Sequence, residues 1–149
     1  SAVLGHLPAI AKLSGLFRVS AVCDLEKSRR DNVATMFPDV RHYRRSLDMV
    51  DDPDLDLVLV AAPTLDHERI ALECLSRKLW TVCETPVSTT HDGAMVLRGA
   101  ALKAGRRLIS ATPQLFSPDC CNTPLPTQFH AHKFPLLRSF LPAHSFHLE

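Results

Sequence analysis

Residues 54–67 read DLDLVLVAAPTLDH and contain the longest uninterrupted apolar run of the chain. From Leu55 to Ala62 the sequence is nearly all apolar, which is typical of a strand buried on both faces in a parallel sheet. Pro63 ends this strand, because proline has no amide hydrogen to donate to a neighbouring strand. From His67 to Arg77 apolar side chains recur with the spacing of a helix. The stretch therefore predicts a strand followed by a helix, and we expect this strand to be the central and most buried one.

The same alternation continues on both sides of this stretch. We predict strands at residues 16–23, 40–43, 55–62, 79–83 and 107–110, and helices at residues 2–13, 25–37, 46–50, 67–77 and 90–104. Ser46 is the expected N-cap of its short helix, and Gly105 is the expected left-handed residue after the last helix. Strands that alternate with helices specify an α/β fold with a parallel sheet and right-handed crossovers.

Length and composition predict one domain of ordinary size. The chain has 149 residues, of which 46% are hydrophobic, and this is enough for a packed core. A net charge of +1 gives no electrostatic basis for binding nucleic acid or an anionic membrane surface. No apolar run approaches the roughly 20 residues that span a bilayer. The irregular spacing of five cysteines favours a reducing compartment, so we expect a cytoplasmic protein in which Cys23 and Cys83 are small buried side chains.

The composition changes after Thr112. Residues 113–149 hold six of the eleven prolines and five of the seven phenylalanines, and they hold no glycine. Prolines at this spacing exclude long helices and central strands. We therefore divide the chain into a domain at residues 1–112 and an irregular tail at residues 113–149 that forms no domain. The tail holds two pairs of potential metal ligands, Cys120 with Cys121 and His130 with His132. Adjacent cysteines fit the ligand spacing of structural zinc sites poorly, and we predict no metal site.

Polar side chains follow three of the predicted strands, and ligands of parallel sheets bind at the carboxyl ends of strands. Asp24 has a carboxylate that suits the hydroxyls of an adenosine ribose, or alternatively caps the next helix. His67 either donates to a cofactor phosphate or ribose from a helix start, or is a solvated residue of the first turn. Glu84 either binds a ribose hydroxyl or is a turn residue before Pro86.

The segments that carry these residues, in this order, resemble the N-terminal domain of the Gfo/Idh/MocA oxidoreductases. The matching segments are His6-Leu7-Pro8-Ala9-Ile10, Val22-Cys23-Asp24, residues 54–67, Cys83-Glu84-Thr85-Pro86 and residues 90–105. The resemblance covers about three quarters of the chain. It implies a Rossmann-type, doubly wound parallel sheet that binds a nicotinamide cofactor across the strand ends.

The resemblance also assigns roles to residues. Asp24 matches the acid that binds the adenosine ribose, and its charge implies NAD as the cofactor rather than NADP. The loop and helix start beside the cofactor are matched by Ala62, Pro63, Thr64 and His67. Glu84 matches the glutamate of a Glu-Lys-Pro motif that lies near the nicotinamide ribose. The family moves a hydride between the nicotinamide and a carbon that bears oxygen, usually on a sugar or polyol.

The chain departs from the family pattern at four points. No GxGxxG occurs, so the first strand and its glycine-rich phosphate loop are expected before Ser1, and the Rossmann domain is expected to be incomplete. Thr85 occupies the position of the motif lysine, and its hydroxyl cannot serve as an ammonium does. Lys78 stands where the family usually has glycine after a helix. The second domain, which holds the substrate, is not matched.

These departures leave two functions open. The first is the NAD(P)-binding domain of a sugar or polyol oxidoreductase, which is expected to be inactive as this isolated chain and to have no catalytic residue of its own. A small-molecule substrate is then expected only where a second domain is present. The alternative is a non-catalytic NAD(P)-binding regulatory or interaction protein on the same fold, and Thr85 favours it.

Overall fold

The computed structural model describes residues 5–105 and 108–112. In this part of the chain helices and strands alternate as the sequence predicts. The elements are α1 (His6–Lys12), β1 (Ala21–Cys23), α2 (Lys27–Met36), β2 (Arg41–Tyr43), α3 (Ser46–Met49), β3 (Leu57–Val60), α4 (Thr64–Ser76), β4 (Trp80–Glu84), α5 (His91–Lys103) and β5 (Leu108–Ala111). The predicted α/β class is confirmed.

All strand pairs are parallel, and they form two groups. β1 pairs with β2, while β3, β4 and β5 pair in that order. Because parallel neighbours cannot be joined by a tight turn, each connection runs over a helix. Chain order moves outward from β1 to β2 in one group and from β3 to β5 in the other, which is the pattern of a doubly wound fold.

The main core is built around β3 and contains residues from both groups of strands. Val58 and Val60 of β3 are 5% and 2% exposed, and Ala21 and Cys23 of β1 pack against the same cluster. Burial of each valine contributes about 1.5–3 kcal/mol to folding. The predicted burial of this strand is therefore confirmed at both valines.

Two details of the β3 prediction are wrong. Leu57 is 38% exposed, so the strand is not buried on both faces along its length. Among the described residues β4, not β3, lies between two neighbours in its sheet. An apolar run reports how much of a strand is buried, and it does not report how many strands pair with it.

Several element boundaries also differ from the prediction. β1 begins only at Ala21, and Leu16, predicted inside the strand, is 70% exposed. α4 begins at Thr64, three residues before the predicted start, so His67 is the fourth residue of the helix and not the first. Ser46 is the first residue of α3 and not its N-cap, which is Arg45, and the Ser46 hydroxyl donates to Glu73 Oε2 over 2.7 Å.

A buried carboxylate fixes β2 to the turn before β3. Asp52, whose side chain is 2% exposed, accepts hydrogen bonds from the Tyr43 hydroxyl, the Arg41 guanidinium and the Asp54 amide. Burial alone would raise the pKa of Asp52, but the bonds from Asp54, Tyr43 and Arg41 outweigh it and lower that pKa. The carboxylate therefore stays charged. It joins β2 to the turn before β3, and both segments lie at the edge of the apolar core.

The end of α4 is a Schellman motif. The Leu79 amide donates to the Cys74 carbonyl over 3.1 Å, and the Lys78 amide donates to the Leu75 carbonyl over 3.0 Å. Lys78 has φ of 60°, the left-handed conformation expected from the match to a family glycine, and Gly105 after α5 has the same φ. A side chain in this conformation costs roughly 1 kcal/mol, a cost that glycine does not have.

Some predictions lie outside the described residues. These include the irregular tail at residues 113–149, with the ligand pairs at Cys120 and His130. Within residues 5–105 and 108–112, no group of three or more histidine, cysteine or acidic side chains is arranged to hold a metal ion. None of the helices in this part of the chain has the length and apolar character needed to cross a membrane.

We predict that Lys78→Gly raises the free energy of unfolding by up to about 1 kcal/mol, because it removes the strain of a left-handed lysine from an exposed position. Urea denaturation monitored by circular dichroism measures the change. The matched control is Lys103→Gly in the last turn of α5, which should lower the stability by about 1 kcal/mol. A loss of stability in Lys78→Gly would contradict the prediction.

Candidate functional site

The carboxyl ends of β1, β3 and β4 meet around one apolar cluster. In the β3–β4 pair Val60 lies opposite Cys83, and both are buried members of the cluster against which Cys23 packs. These three residues end or nearly end their strands, so the residues that follow them emerge at the same edge. This edge therefore carries Asp24, the loop from Ala62 to Thr64, and Glu84.

Asp24 uses one carboxylate oxygen to shape the turn after β1. Its Oδ1 accepts the Glu26 amide hydrogen over 2.8 Å, which is the geometry of an Asx turn. The N-cap of α2 is Glu26, so the alternative that Asp24 caps this helix is wrong. Oδ2 lies 3.7 Å from Arg29 Nη1, and the side chain is 29% exposed. One oxygen is thus committed to the turn, while the other faces a cation at the surface.

The two arginines beside Asp24 have different contacts. Arg30 Nη1 donates to the main-chain carbonyls of Asp24 and Leu25, so this side chain supports the turn. Arg29 is 61% exposed and contacts the carboxylate of Glu26 as well as that of Asp24. Arg29 is therefore the arginine that can turn toward an anionic ligand without breaking the turn.

The loop after β3 leads directly into α4. Pro63 is the N-cap residue, and Thr64 is the first residue of the helix. The amide of Asp66 donates to the Pro63 carbonyl over 2.8 Å. Leu65 beside it is 85% exposed. The first-turn amides that precede Asp66 have no acceptor within the helix, as at every helix start.

The side chain of His67 contacts the segments that follow β3 and β4. It is 2% exposed, its Nε2 lies 2.8 Å from the Ala62 carbonyl oxygen, and its Nδ1 lies 2.8 Å from the Pro86 carbonyl oxygen. The alternative of a solvated first-turn histidine is therefore wrong. A neutral imidazole has one N–H and donates to one of these carbonyls, whereas a doubly protonated ring donates to both. The ring therefore lies between the two loops and donates to at least one of them.

The burial of His67 has a signal in the sequence. His67, Ala71 and Cys74 recur at the spacing of one helix face, and all three are buried. Reading His67 as part of the apolar stripe of α4 would have placed it inside the protein. The sequence gives no comparable signal for the carbonyl oxygens that it contacts, because both lie in irregular segments.

Glu84 ends β4 and has a partner that the sequence analysis did not identify. Its Oε1 lies 2.8 Å from His6 Nε2, and the two side chains are 31% and 29% exposed. The peptide bond between Thr85 and Pro86 is cis. The neighbouring Thr85 is exposed and brings no charge to the site.

The cysteines of the site are packing residues. Cys83 is fully buried, and Cys23 is partly buried against the same cluster. Burial, and then the charge of Glu84, raise the pKa of Cys83 to about 11. Burial, and then the charge of Asp24, raise the pKa of Cys23 to about 11. Both thiols therefore stay protonated at neutral pH, and neither is a nucleophile.

A surface depression lies apart from this edge. It has a volume of about 540 Å³ and follows the outer face of α4 past Leu72. Its two arginines are committed elsewhere, since Arg69 pairs with Asp66 and Glu73, and Arg77 pairs with Asp51. Glu68, which also lines the depression, accepts a hydrogen bond from the Ser88 hydroxyl over 2.9 Å.

Comparison with known proteins establishes the class of this domain. Residues 4–112 match the model of an oxidoreductase family with an NAD-binding Rossmann fold, the Gfo/Idh/MocA family. The chain belongs to this family.

The relatives by sequence include inositol 2-dehydrogenases from several bacteria. That of Acidothermus cellulolyticus is 35% identical over 91 residues, which cover 61% of this chain and 27% of the relative. That of Mycolicibacterium smegmatis is 32% identical over 104 residues, which cover 70% of this chain and 30% of the relative. The chain thus spans less than a third of the length of these relatives.

Solved structures agree on the fold. The WlbA dehydrogenase from Bordetella pertussis, in complex with NADH and UDP-GlcNAcA, matches with a TM-score of 0.72 and 21% identity over 77% of this chain and 33% of its own. Biliverdin reductase from Synechocystis, in complex with biliverdin and NADP+, matches with a TM-score of 0.63 and 24% identity over 66% of this chain and 31% of its own. The predicted Rossmann-type fold is confirmed.

We predict that His67→Leu lowers the free energy of unfolding by about 1–2 kcal/mol, because it removes an imidazole donor from between two main-chain carbonyls while it keeps an apolar side chain in the core. Chemical denaturation measures this loss. The matched control is His91→Leu at the exposed start of α5, which should change the stability by less than about 0.5 kcal/mol. Equal stability of the two variants would show that the His67 contacts are dispensable.

Proposed function

We propose that this chain is the NAD-binding domain of an oxidoreductase that moves a hydride between the cofactor and a sugar or polyol. The observation that carries the proposal is that two carboxylates, Asp24 and Glu84, lie at the carboxyl ends of strands on one edge of a Rossmann fold. Carboxylate oxygens accept hydrogen bonds from hydroxyls, and a dinucleotide carries a ribose at each half. The polyol substrate is supported by the names of the relatives, which are inositol 2-dehydrogenases.

The proposed cofactor contacts follow from the contacts within the site. Asp24 Oδ2 accepts from the adenosine ribose, because Oδ1 is already bonded to Glu26. Glu84 Oε2 accepts from the nicotinamide ribose, because Oε1 is already bonded to His6. The loop residues Ala62, Pro63 and Thr64 lie against the cofactor between these two points. His67 contributes by fixing the Ala62 carbonyl rather than by touching the cofactor.

These residues fit the ribose contacts better than they fit the rest of the reaction. A bound nicotinamide supplies the position that takes up or releases the hydride. No glycine-rich GxGxxG segment occurs in these 149 residues to hold the pyrophosphate. Thr85 also lacks the ammonium that would assist proton transfer at the substrate oxygen. The chain is therefore proposed to bind the cofactor weakly and to lack dehydrogenase activity by itself.

A second candidate function is favoured by Thr85 alone. A non-catalytic protein that binds NAD(P) for regulation or interaction needs the ribose contacts and does not need the motif lysine. The two candidates differ in one observable. The first requires turnover when a substrate-binding domain is supplied, whereas the second requires cofactor binding without turnover.

The proposal includes the organisation and location of the chain. The match to the family ends at residue 112, which supports a cofactor domain at residues 1–112 with a separate tail after it. Cys23, Cys74 and Cys83 are free thiols, which supports a reducing compartment such as the cytoplasm.

We predict that the chain prefers NAD to NADP and that Asp24→Ser shifts this preference by about tenfold toward NADP, which is about 1.4 kcal/mol. The substitution removes a charge that repels the 2′-phosphate, and it frees Arg29 to bind that phosphate. Binding titrations with both cofactors give the ratio of dissociation constants.

The matched control for this experiment is Asp39→Ser, which removes an exposed carboxylate from the turn between α2 and β2. The control should leave the ratio unchanged. Equal affinity of the unmodified chain for NAD and NADP would contradict the assignment of Asp24.

We also predict that the purified chain forms no NADH when inositol, other polyols or sugars are supplied with NAD. Loss of general acid–base assistance alone slows such reactions by about 10²–10⁴-fold, and the positioning of a substrate is worth even more. The absorbance of NADH measures the rate. Substrate-dependent turnover that co-purifies with the chain and disappears in Glu84→Ala would overturn this prediction.

A further inference from the structure

We propose that His6 is a positioning residue that holds the Glu84 carboxylate in the orientation needed to bind the nicotinamide half of the cofactor. This inference rests on the proposed function. It concerns the contact between His6 Nε2 and Glu84 Oε1, which are 2.8 Å apart.

The contact joins two distant parts of the fold. His6 is the first residue of α1, whereas Glu84 is the last residue of β4. The next residue in the helix, Leu7, is buried in a cluster with Val33 and Val40, which lie beside β1 and β2. Adjacent residues of α1 therefore attach it to different groups of strands, Leu7 by apolar packing and His6 by a hydrogen bond.

The contact orders a side chain that would otherwise be free to move. Glu84 is about one third exposed, and among the described residues no side chain other than that of His6 forms a hydrogen bond to its carboxylate. A bond to Oε1 restricts the rotation of the carboxylate and leaves Oε2 to accept from a ligand hydroxyl. A carboxylate held before binding loses less rotational freedom when the ligand arrives.

The residue after Glu84 makes the contact between His6 and Glu84 more important. Thr85 supplies no charge at the position after Glu84, so His6 is the ionisable side chain that contacts this carboxylate within the described part of the chain. A hydrogen bond to a charged group is stronger than one between neutral groups, and a partly buried site strengthens it further. His6 is thus placed to orient Glu84 through this hydrogen bond.

The chemistry of the contact defines a test by substitution. The bond is made by Nε2, so glutamine, whose amide nitrogen lies at a similar distance from the main chain, can replace it. Asparagine places its amide nearer the position of Nδ1 and cannot reach in the same way. Leucine keeps the apolar volume and removes the donor. A positioning role therefore predicts that His6→Gln retains function, whereas His6→Asn and His6→Leu lose it.

The experiment is an NMR titration of the full chain with NAD and, separately, with ADP, which carries only the adenosine half. His6→Leu and His6→Asn should weaken NAD binding by about tenfold and leave ADP binding within about twofold, as expected for one charge-assisted hydrogen bond at the nicotinamide end. His6→Gln should stay within about threefold of the unmodified chain for both ligands. The control His91→Leu should change neither affinity.

A double substitution separates positioning from a general effect. In a Glu84→Gln background, His6→Leu should cause no further loss of NAD affinity, because the group that it positions is already changed. Additive losses, or equal losses for NAD and ADP, would show that His6 supports the fold and does not position Glu84. NAD binding that is unaffected by His6→Leu would overturn this inference and leave the proposed function intact. No binding of NAD by the unmodified chain would overturn both.

Discussion

Parallel pairing of β3 with β4 is the constraint on which the rest of this structure depends. Parallel neighbours require a crossover, and α4 provides it by returning the chain to the start of the next strand. Each strand then ends at the same edge, and the register that places Val60 opposite Cys83 sets Ala62 and Glu84 at nearly the same level. The register of this pair therefore places the residues that follow β3 beside those that follow β4.

Sheet geometry brings the strand ends together but does not determine how the loops beyond them are held. Two histidines from helices do this. His67 in α4 contacts main-chain carbonyls after β3 and β4, and His6 in α1 contacts the Glu84 carboxylate. Main-chain carbonyls and a carboxylate only accept hydrogen bonds, so imidazole donors are suited to both places. Both histidines thus hold in place the segments that are proposed to face a ligand.

The sequence predicted the features that depend on apolar periodicity and failed where contacts join distant segments. The apolar residues around Val58 and Val60 predicted a buried strand, because a strand that packs in the core needs a run of apolar side chains. The start of β1 could not be predicted, since the residues before Ala21 have strand-like composition but lie outside the paired segment. The contact of His6 with Glu84 spans 78 positions, and no local pattern encodes such a distance. Lys78, by contrast, keeps the left-handed backbone that suits the glycine which the family usually has at its position.

On the proposed assignment, cofactor binding and proton transfer depend on different residues. Recognition of ribose hydroxyls needs acceptors, and Asp24 and Glu84 supply them with one oxygen each, while their other oxygens bond to the Glu26 amide and to His6. Transfer of a proton needs a donor at the substrate oxygen, and Thr85 has no ionisable group with which to provide it. His6 is ionisable, but its Nε2 is already engaged by Glu84. The arrangement therefore favours selection of a cofactor, and the proton chemistry must come from residues beyond this edge.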